Sequence, residues 1–461
     1  QNIHSKYMKK NSCFSLVLIL FVGLVSQAQS KKWTLEECVK YALENNISIK
    51  QSELDTQTAA IDKRGALGKF LPSLNTSASH SWNIGLNQDI TTGLLRNQTT
   101  QFTSAGANVG IDIYKGLQNQ NNLRKANLAI VASKYQLVKM QEDIALNVAN
   151  AFLQVLFNKE NLKVKQEQLA INEKQLARST ELVNAGSIPR GDLLDIKANV
   201  ALNRQNVVTA ENTLLISKLS LSQLLQLKEF EGFDVIDGTV AKDENNIMSQ
   251  TPAAIFEKAI ESKTDLKIAR TNLEIAQKNL AIAKGAFQPT LQGFYGFNSR
   301  VSYADVASIS GGVLVAMPAN PFWTQFDTNK GQSFGAQLSI PVFNGFTVRN
   351  NVERSKVTLE KSKNTLAQQE LDLQRSVYLA FTDAKGALNA SESAIASLES
   401  RQEAYNYAKE KFAVGLMNSF DFNQAQTLFV NAQSEVLRTK YDYIFKIKIL
   451  EFYFGIPIIK N

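Results

Sequence analysis

The residues of this chain that could do chemistry are carboxylates at two matching turns. Asp192 follows Gly186 by six residues, and Asp421 follows Gly415 by the same interval. Asp195 lies one helical turn after the first aspartate. A carboxylate in the first turn of a helix accepts hydrogen bonds from free N–H groups and complements the helix dipole. A ring of carboxylates favours cations. The sequence therefore leaves two interpretations open, helix capping and a cation-selective opening.

No catalytic constellation is found. Beyond the first 28 residues the chain has one histidine, His80, and one cysteine, Cys38, far apart in the sequence, which is not the ligand set of a usual metal site. Phosphate-binding loops, dinucleotide fingerprints and nucleophile elbows do not occur. The formal net charge is +8, with basic and acidic residues interleaved. We predict no enzyme activity, no cofactor and no nucleic-acid partner.

Residues 1–28 are predicted to be a signal peptide with its upstream residues. From Met8 the chain has two lysines, an apolar stretch from Phe14 to Val25 and the small-residue sequence Ser-Gln-Ala ending at Ala28. A basic segment, a short apolar segment and small residues before the cleavage site are typical of exported proteins. The apolar stretch is shorter than the ~20 residues of a spanning helix, so a membrane anchor is disfavoured.

The rest of the chain is a duplication. Thr34 onward aligns with Thr251 onward, and both runs close on a Gly-x-Phe-x-Pro signature that begins at Gly68 or Gly285. The predicted domains are repeat one, residues 29–246, and repeat two, residues 247–461. Repeat two carries an insertion before Gly345, and its residues 303–332 are predicted to form an external loop.

Long helices are predicted from apolar residues at heptad steps without internal proline. In repeat one the predicted helices are 34–69, 117–186 and 190–227, followed by a loop-like linker at 228–246 that carries a short strand at most. In repeat two they are 251–286, 347–415 and 419–454. A helix of about 70 residues is roughly 100 Å long, more than a globular enzyme requires.

Strands are predicted where the apolar period changes to two, at 73–87, 102–114, 291–303 and 333–343. Their lengths, about ten residues or slightly more, are those of tilted membrane-spanning strands. Four strands cannot enclose a barrel, and lipid tolerates no open sheet edge. Strands in a membrane must therefore come from several chains: two chains supply eight strands and three supply twelve. The polar face also suits the solvated side of a soluble sheet.

The duplicated helix–strand–strand–helix–turn–helix order, with its Phe-x-Pro signatures and Gly-x5-Asp turns, resembles the TolC-like outer-membrane efflux proteins. The resemblance covers essentially all of the chain beyond the leader. It implies an α+β membrane protein of a Gram-negative bacterium: a homotrimer with a twelve-stranded β-barrel in outer-membrane lipid and a coiled-coil barrel of helices in the periplasm. The implied function is a passive exit duct for efflux or type I secretion. The implied partners are a periplasmic adaptor (membrane fusion) protein and an inner-membrane transporter.

The same resemblance implies that the turns form the periplasmic gate. Asp192 and Asp421 fall at positions where family aspartates line the constriction, whereas Gln424 stands where repeat two of the family has a second aspartate. Some relatives lock the closed state with Tyr and Arg around the glycine of repeat two. Phe412 and Met417 occupy those positions, so the lock does not carry over. Arg190 of repeat one is the remaining candidate for the basic partner.

Two other functions remain from the residues alone. A periplasmic adaptor has a helical hairpin, but it lacks four amphipathic strands in a duplicated chain. A surface or periplasmic structural coiled-coil protein without channel activity would share the helices. Within the duct interpretation, export of drugs, metals and polypeptides uses the same fold.

Overall fold

The computed structural model describes residues 32–88, 93–228, 230, 232–236, 247–310 and 313–458. The chain divides into two compact units. Unit 1 contains residues 1–53, 136–266 and 369–461, and unit 2 contains residues 54–135 and 267–368. Each unit draws on both sequence repeats, so the units cut across the predicted repeat boundaries. The predicted leader and most of the linker lie outside the described residues.

The helices reproduce the duplication residue for residue. In repeat one α1 is Leu35–Asn45, α2 is Ile47–Gly68, α3 is Gln118–Asn184 and α4 is Arg190–Leu225. In repeat two α5 is Pro252–Ser262, α6 is Thr264–Gly285, α8 is Thr347–Ala413 and α9 is Ser419–Phe454. Corresponding helices have 11, 22, 67 and 36 residues in both repeats. Because α3 and α8 rise 1.5 Å per residue, each is roughly 100 Å long.

The predicted single helices 34–69 and 251–286 are wrong, because each is broken at one extended residue. The breaks are Asn46 (φ −62°, ψ 128°) and Lys263 (φ −67°, ψ 128°). The Asn46 side chain donates to the carbonyl of Leu224 at 3.3 Å, and its Oδ1 accepts from the backbone N–H of Ser48 at 2.9 Å. The sequence has neither proline nor glycine here, so tertiary contacts decide the breaks.

Four strands of unit 2 form one antiparallel sheet. In the order in which they pair, they are β2 (Ser73–Gln88), β3 (Leu95–Lys115), β5 (Thr290–Ser302) and β8 (Gly331–Ser339). β3 begins earlier than predicted because residues 95–101 pair with β2 through the backbone although they lack apolar alternation. β8 ends earlier than predicted, just before the Ile340-Pro341 pair, because proline cannot donate to the ladder.

The sheet has one apolar face and one polar face. The apolar face is the set of in-register alternate residues Leu74, Ala78, Trp82, Ala105, Val109, Tyr295, Phe297, Phe334 and Leu338 with their neighbours. Asparagines, serines, glycines and Gln337 dominate the other face. Much of the apolar face is exposed in one chain, with Phe334 84% and Ile84 82% accessible. A face of this composition requires an apolar environment from outside the chain.

The insertion of repeat two is structured. A hairpin of β6 (Val306–Ser310) and β7 (Val313–Met317) is followed by the short helix α7 (Phe322–Thr328). The interpretation of residues 303–332 as an external loop did not include these elements. Periodicity is a weak guide over five to seven residues, which explains the omission.

Unit 1 is held together by a core between α1, α3 and α4. Its buried members include Val148, Val155, Leu221, Leu225 and Phe152. A short parallel pair joins β1 (Lys32–Trp33) to β4 (Asp234–Val235), which lies in the predicted linker. The Asp234 carboxylate of β4 lies 3.3 Å from the Lys159 ammonium and 2.9 Å from that of Lys218. The described part of the linker is thus bound to the long helices.

Lys263, at the second helix break, is an ionisable residue with only 6% of its surface exposed. Its ammonium lies 2.9 Å from the ring centroid of Phe452. Burial lowers the pKa of Lys263 to about 8, against the opposing attraction of Glu142 and Asp265. Burial also raises the pKa of Glu142, against the opposing effect of Lys263. In repeat one the corresponding residue is the neutral Asn46.

Two glycines of unit 2 touch backbone to backbone. Gly116 has φ +56°. A Cβ added to Gly285 would overlap the carbonyl oxygen of Gly116. The repeat equivalent of Gly285 is Gly68, where an added Cβ would meet nothing within 4 Å. Within one chain the glycine therefore has a packing contact in repeat two and none in repeat one.

We expect Gly285→Ala to destabilise the protein by about 1–3 kcal/mol, because the overlap requires a backbone shift. Gly386→Ala, at an exposed helical glycine of α8 where an added Cβ would meet nothing within 4 Å, is the control and should not destabilise the protein. Thermal unfolding of the detergent-solubilised protein, followed by circular dichroism, measures both. Equal effects of the two substitutions would contradict the close glycine contact.

We expect the stability of the protein to rise between about pH 8 and pH 10.5 through Lys263. In this window the unfolded chain binds a proton that the folded chain does not, so stability increases with pH by up to about 3 kcal/mol. Below pH 8 the cost of the buried charge is fully present. Lys263→Met should abolish the rise, whereas Lys258→Met, at an exposed lysine of the preceding helix α5, should retain it. Denaturant unfolding at several pH values measures the difference.

Candidate aperture at the helix turns

Both long helices end in the same glycine geometry. Gly186 (φ +72°) and Gly415 (φ +78°) adopt the left-handed conformation after α3 and α8. The N–H of Ser187 donates to the carbonyl of Leu182 at 2.8 Å, and the N–H of Leu416 donates to that of Lys411 at 2.8 Å. Together with the glycine N–H bonds these are Schellman motifs, which require a residue that tolerates positive φ. The glycines make the sharp reversal into α4 and α9 possible.

At the second turn Asn418 caps α9. Its Oδ1 accepts from the backbone N–H of Asp421 at 2.8 Å, and its Nδ2 donates to the Asp421 carboxylate at 2.9 Å. The carboxylate thus lies in the first turn, where it complements the helix dipole, but the cap itself is the asparagine. Asp421 is exposed, so its negative charge faces away from the packed core.

At the first turn Asp192 has a different role. α4 begins after Pro189 without a side-chain cap. The Ser419 hydroxyl lies 3.4 Å from Asp192 Oδ1, with donor geometry toward the carboxylate. Asp192 therefore contacts the start of α9 and brings the turns of the two repeats together. Neither Ser419 nor Asn418 was among the predicted site residues. The Asn-x-x-Asp spacing at the start of α9 was the available signal for Asn418.

An aromatic cluster packs below the second turn. Phe412 stacks on Phe422, with ring centroids 4.7 Å apart and planes at 19°. Tyr405 contacts Phe422 at 5.9 Å and stacks on Phe429 at 5.1 Å. Half-buried Met417 packs against the same cluster. Phe412 and Met417 thus both contribute to apolar packing in this chain.

A cleft of about 860 Å³ opens beside these turns within unit 1. Its lining includes Asp192 and the aromatic rings, and also the basic residues Lys174, Arg178 and Lys409. The predicted excess of negative charge is therefore not a property of this cleft in a single chain.

The remaining predicted site residues lie on the surface. Asp195, Gln424 and Arg190 are exposed. Arg190 makes no ion pair with a described residue. The structure brings Asp192 to Ser419 and Phe412 to Phe422, and it brings none of the exposed three into the cluster.

The described residues contain neither a cluster of metal ligands nor a helix suited to cross a membrane. No group of three or more His, Cys, Asp or Glu side chains could hold a metal ion there. None of the described helices combines the length and apolar character needed to cross a membrane.

Duplicated helices of 67 residues, a four-stranded sheet with an exposed apolar face and paired helix turns define a TolC-like channel fold. The model of the outer membrane efflux protein family matches residues 38–226 and 255–448, most of the chain. The chain belongs to this family. It is accordingly an outer-membrane protein of Gram-negative type that serves efflux.

Individual relatives agree with this assignment. The chain is 22% identical to the outer membrane protein TolC of Escherichia coli over 437 residues, 93% of this chain and 83% of the relative. The Campylobacter jejuni outer membrane channel CmeC superposes with a TM-score of 0.77 at 18% identity, covering 91% of this chain and 85% of that one. The outer membrane protein VceC of Vibrio cholerae superposes with a TM-score of 0.74 at 14% identity, covering 91% and 96%.

We expect Phe412→Ala to loosen the turn between α8 and α9, because it removes a stacked ring from the cluster. For a half-buried ring we expect a local loss of roughly 2 kcal/mol, which would speed amide exchange at residues 413–422 by about 30-fold. Phe412→Tyr retains the stack and is the matched control. Hydrogen–deuterium exchange with peptide mass spectrometry provides the readout, and unchanged exchange in the alanine variant would contradict the packing role.

Proposed function

We propose that three copies of this chain form one outer-membrane exit channel, with a twelve-stranded barrel built from the β2-β3-β5-β8 sheets. The long helices of the three copies form a periplasmic tunnel. Substrates pass through it passively, and the energy comes from partner proteins. The observation that carries this proposal is the pair of sheet edges that one chain leaves without a strand partner.

The edge strands of the sheet are β2 and β8. Each of them pairs on one side only within the described chain, so alternate N–H and C=O groups along its other side lack a ladder partner. In hydrocarbon every such group must form a hydrogen bond within the protein, so a β-sheet can span a membrane only as a closed barrel. Pairing β2 of one copy with β8 of the next satisfies both edges, and three copies complete the ring.

The two faces of the sheet fit the two sides of a barrel wall. The apolar face, with exposed Phe334, Leu338 and Trp82, suits lipid. The polar face carries uncharged side chains for most of its length, which suits a water-filled lumen. A lumen of this kind conducts without binding any one cargo tightly, as a passive duct must.

The partners of the channel follow from its lack of an energy source. In the proposed assembly the turns meet a periplasmic adaptor protein, which connects the channel to an inner-membrane transporter. Relatives of this chain include a protein named for cation efflux, CusC of Escherichia coli, at 23% identity over 331 residues. The tunnel tip is the part of this chain that must open before a substrate delivered by the transporter can pass.

The tip of the tunnel is the proposed gate. Three copies of Asp192, Asp195 and Asp421 around the threefold axis form carboxylate rings, with Gln424 beside them. Phe412 and Met417 stabilise the closed packing, and Arg190 lies at the rim. Opening is a rearrangement of packed helix pairs, a switch between discrete arrangements without covalent chemistry.

We expect Asp192→Asn with Asp421→Asn to lower the cation selectivity of single channels in planar bilayers. The change removes two of the proposed charges per chain while it keeps the side-chain shape and the contact with Asn418. Glu211→Gln, at an exposed carboxylate farther along α4, is the control and should leave selectivity unchanged. Unaltered conductance and selectivity in the double variant would remove the gate assignment without affecting the barrel.

We expect the native mass of the detergent-extracted protein, corrected for bound detergent, to equal three chains. A folded monomer would contradict the shared barrel and favour the structural coiled-coil interpretation. Cross-linking between a cysteine in β2 and one in β8 identifies the joining edges. With the native Cys38 replaced by alanine, linked trimers are the expected product.

A further inference from the structure

Helix α7, in the insertion of repeat two, carries an aromatic cluster of two half-buried phenylalanines and one exposed tryptophan. The rings of Phe322 and Phe326 are stacked with centroids 6.1 Å apart. Trp323 meets them edge-on at 5.1 and 5.9 Å, and 73% of its surface is exposed. Three aromatic rings on a seven-residue surface helix form an apolar patch of a kind that marks an interaction site.

The position of α7 is fixed by hydrogen bonds to β5. Beyond Asn298 the partner strand β8 has ended, which leaves the edge of β5 open. The Gln325 amide fills this edge: its Oε1 accepts from the N–H of Ser302 at 3.0 Å, and its Nε2 donates to the same residue's carbonyl at 2.9 Å. Asn329 Nδ2 donates to the carbonyl of Arg300 at 2.7 Å. The polar side chains of Gln325 and Asn329 therefore hold α7 against the sheet.

The aromatic cluster of α7 lies on the apolar face of the sheet. The ring of Phe326 contacts that of Phe297 at 6.2 Å, and its carbonyl accepts from the hydroxyl of Ser299 at 2.7 Å. Ser299 and Val301 belong to the apolar face, and both are buried. The helix α7 thus covers the apolar face at the C-terminal end of β5. At the N-terminal end of β5, which follows α6, Phe334 and Leu338 remain exposed. The aromatic cluster therefore lies on the same side of the sheet as the exposed apolar residues.

A second aromatic group marks the same level of the sheet. His80 pairs in register with Thr103, and Thr103 pairs with Val301. Around Thr103 Oγ1 lie His80 Nδ1 at 2.8 Å and the Tyr303 hydroxyl at 3.0 Å. The ring of Trp82 lies 4.2 Å from that of His80. Aromatic rings with polar atoms concentrate where membrane hydrocarbon meets water.

We propose that α7 is an interfacial helix that places Trp323 and Phe322 in lipid at the membrane boundary farther from the long helices. The proposal rests on the assignment of the apolar face to lipid under the proposed function. The helix has 7 residues, far too few to span a membrane. Its aromatic side continues the lipid-facing surface, and its polar side chains return to the strand, as in helices that lie in the interface plane.

The three tryptophans of the chain allow a direct test. They are Trp33 in β1, Trp82 in β2 and Trp323 in α7. Three variants each retain one of them and have Phe at the other two positions. Each variant is reconstituted into phosphatidylcholine vesicles whose acyl chains carry bromine either near the carbonyl end or near the methyl end. Bromine quenches an indole only on contact.

We expect Trp323 to lose emission in the brominated vesicles, more strongly with bromine near the carbonyl end. Trp82 should also be quenched, and Trp33, which packs against Tyr41 and Phe233, should not be. Quenching of Trp82 without quenching of Trp323 would overturn the interfacial helix and leave the barrel intact. Quenching of neither would overturn both proposals, because the sheet would then lie outside lipid. Stronger quenching of Trp323 by deep bromine would place α7 in the hydrocarbon and overturn the interfacial assignment.

If a double variant does not fold, the single variant Trp323→Phe in the otherwise native chain replaces it. The quenched part, defined as the emission intensity per chain that bromine removes, should fall relative to the native protein. The matched single variant Trp33→Phe should leave the quenched part unchanged. An unchanged quenched part in Trp323→Phe would overturn the proposal.

Discussion

The structure depends on the need of every backbone N–H and C=O group for a hydrogen-bond partner. The sheet of four strands satisfies this need internally but leaves β2 and β8 with one open side each. In water the backbone groups at these edges would form hydrogen bonds to solvent, whereas lipid hydrocarbon offers no hydrogen-bond partner. A closed barrel shared by several chains follows from this one constraint, and the proposed barrel has three. On a smaller scale, the Gln325 amide meets the same need where β8 stops short of the end of β5.

The duplication gives two copies of each element, and the two copies serve different purposes. Helix lengths agree between the repeats, whereas side chains at equivalent positions diverge where packing differs. The aromatic cluster at the second turn corresponds to aliphatic residues of repeat one: Phe412 to Val183 and Phe422 to Leu193. Rings can stack, and so they connect α8 to α9 more specifically than aliphatic side chains of the same burial. In the proposed gate the turn of repeat two is thus the half that has aromatic packing.

Helix breaks show a similar divergence with an electrostatic consequence. Asn46 satisfies its break with hydrogen bonds to backbone groups, while Lys263 brings a buried cation to the equivalent place. A neutral amide stabilises the break independently of pH. The lysine makes the stability of unit 1 depend on pH, because desolvation opposes its charge more than Glu142 and Asp265 favour it.

Local patterns in the sequence determined the repeated order of elements, the long helices, the four strands and the two turn glycines. Heptad steps, period-two alternation and the need for positive φ each act over a few residues, so they can be read without coordinates. Only the tertiary structure decided the breaks at Asn46 and Lys263, the Gly116–Gly285 contact, the Ser419–Asp192 contact and the packing of α7 on β5. Some of these features join residues that are far apart in the chain. Others depend on a position whose local sequence resembles that of a position with a different structure. Gly68 and Gly285 close the same motif, and only the backbone that lies against them distinguishes their roles.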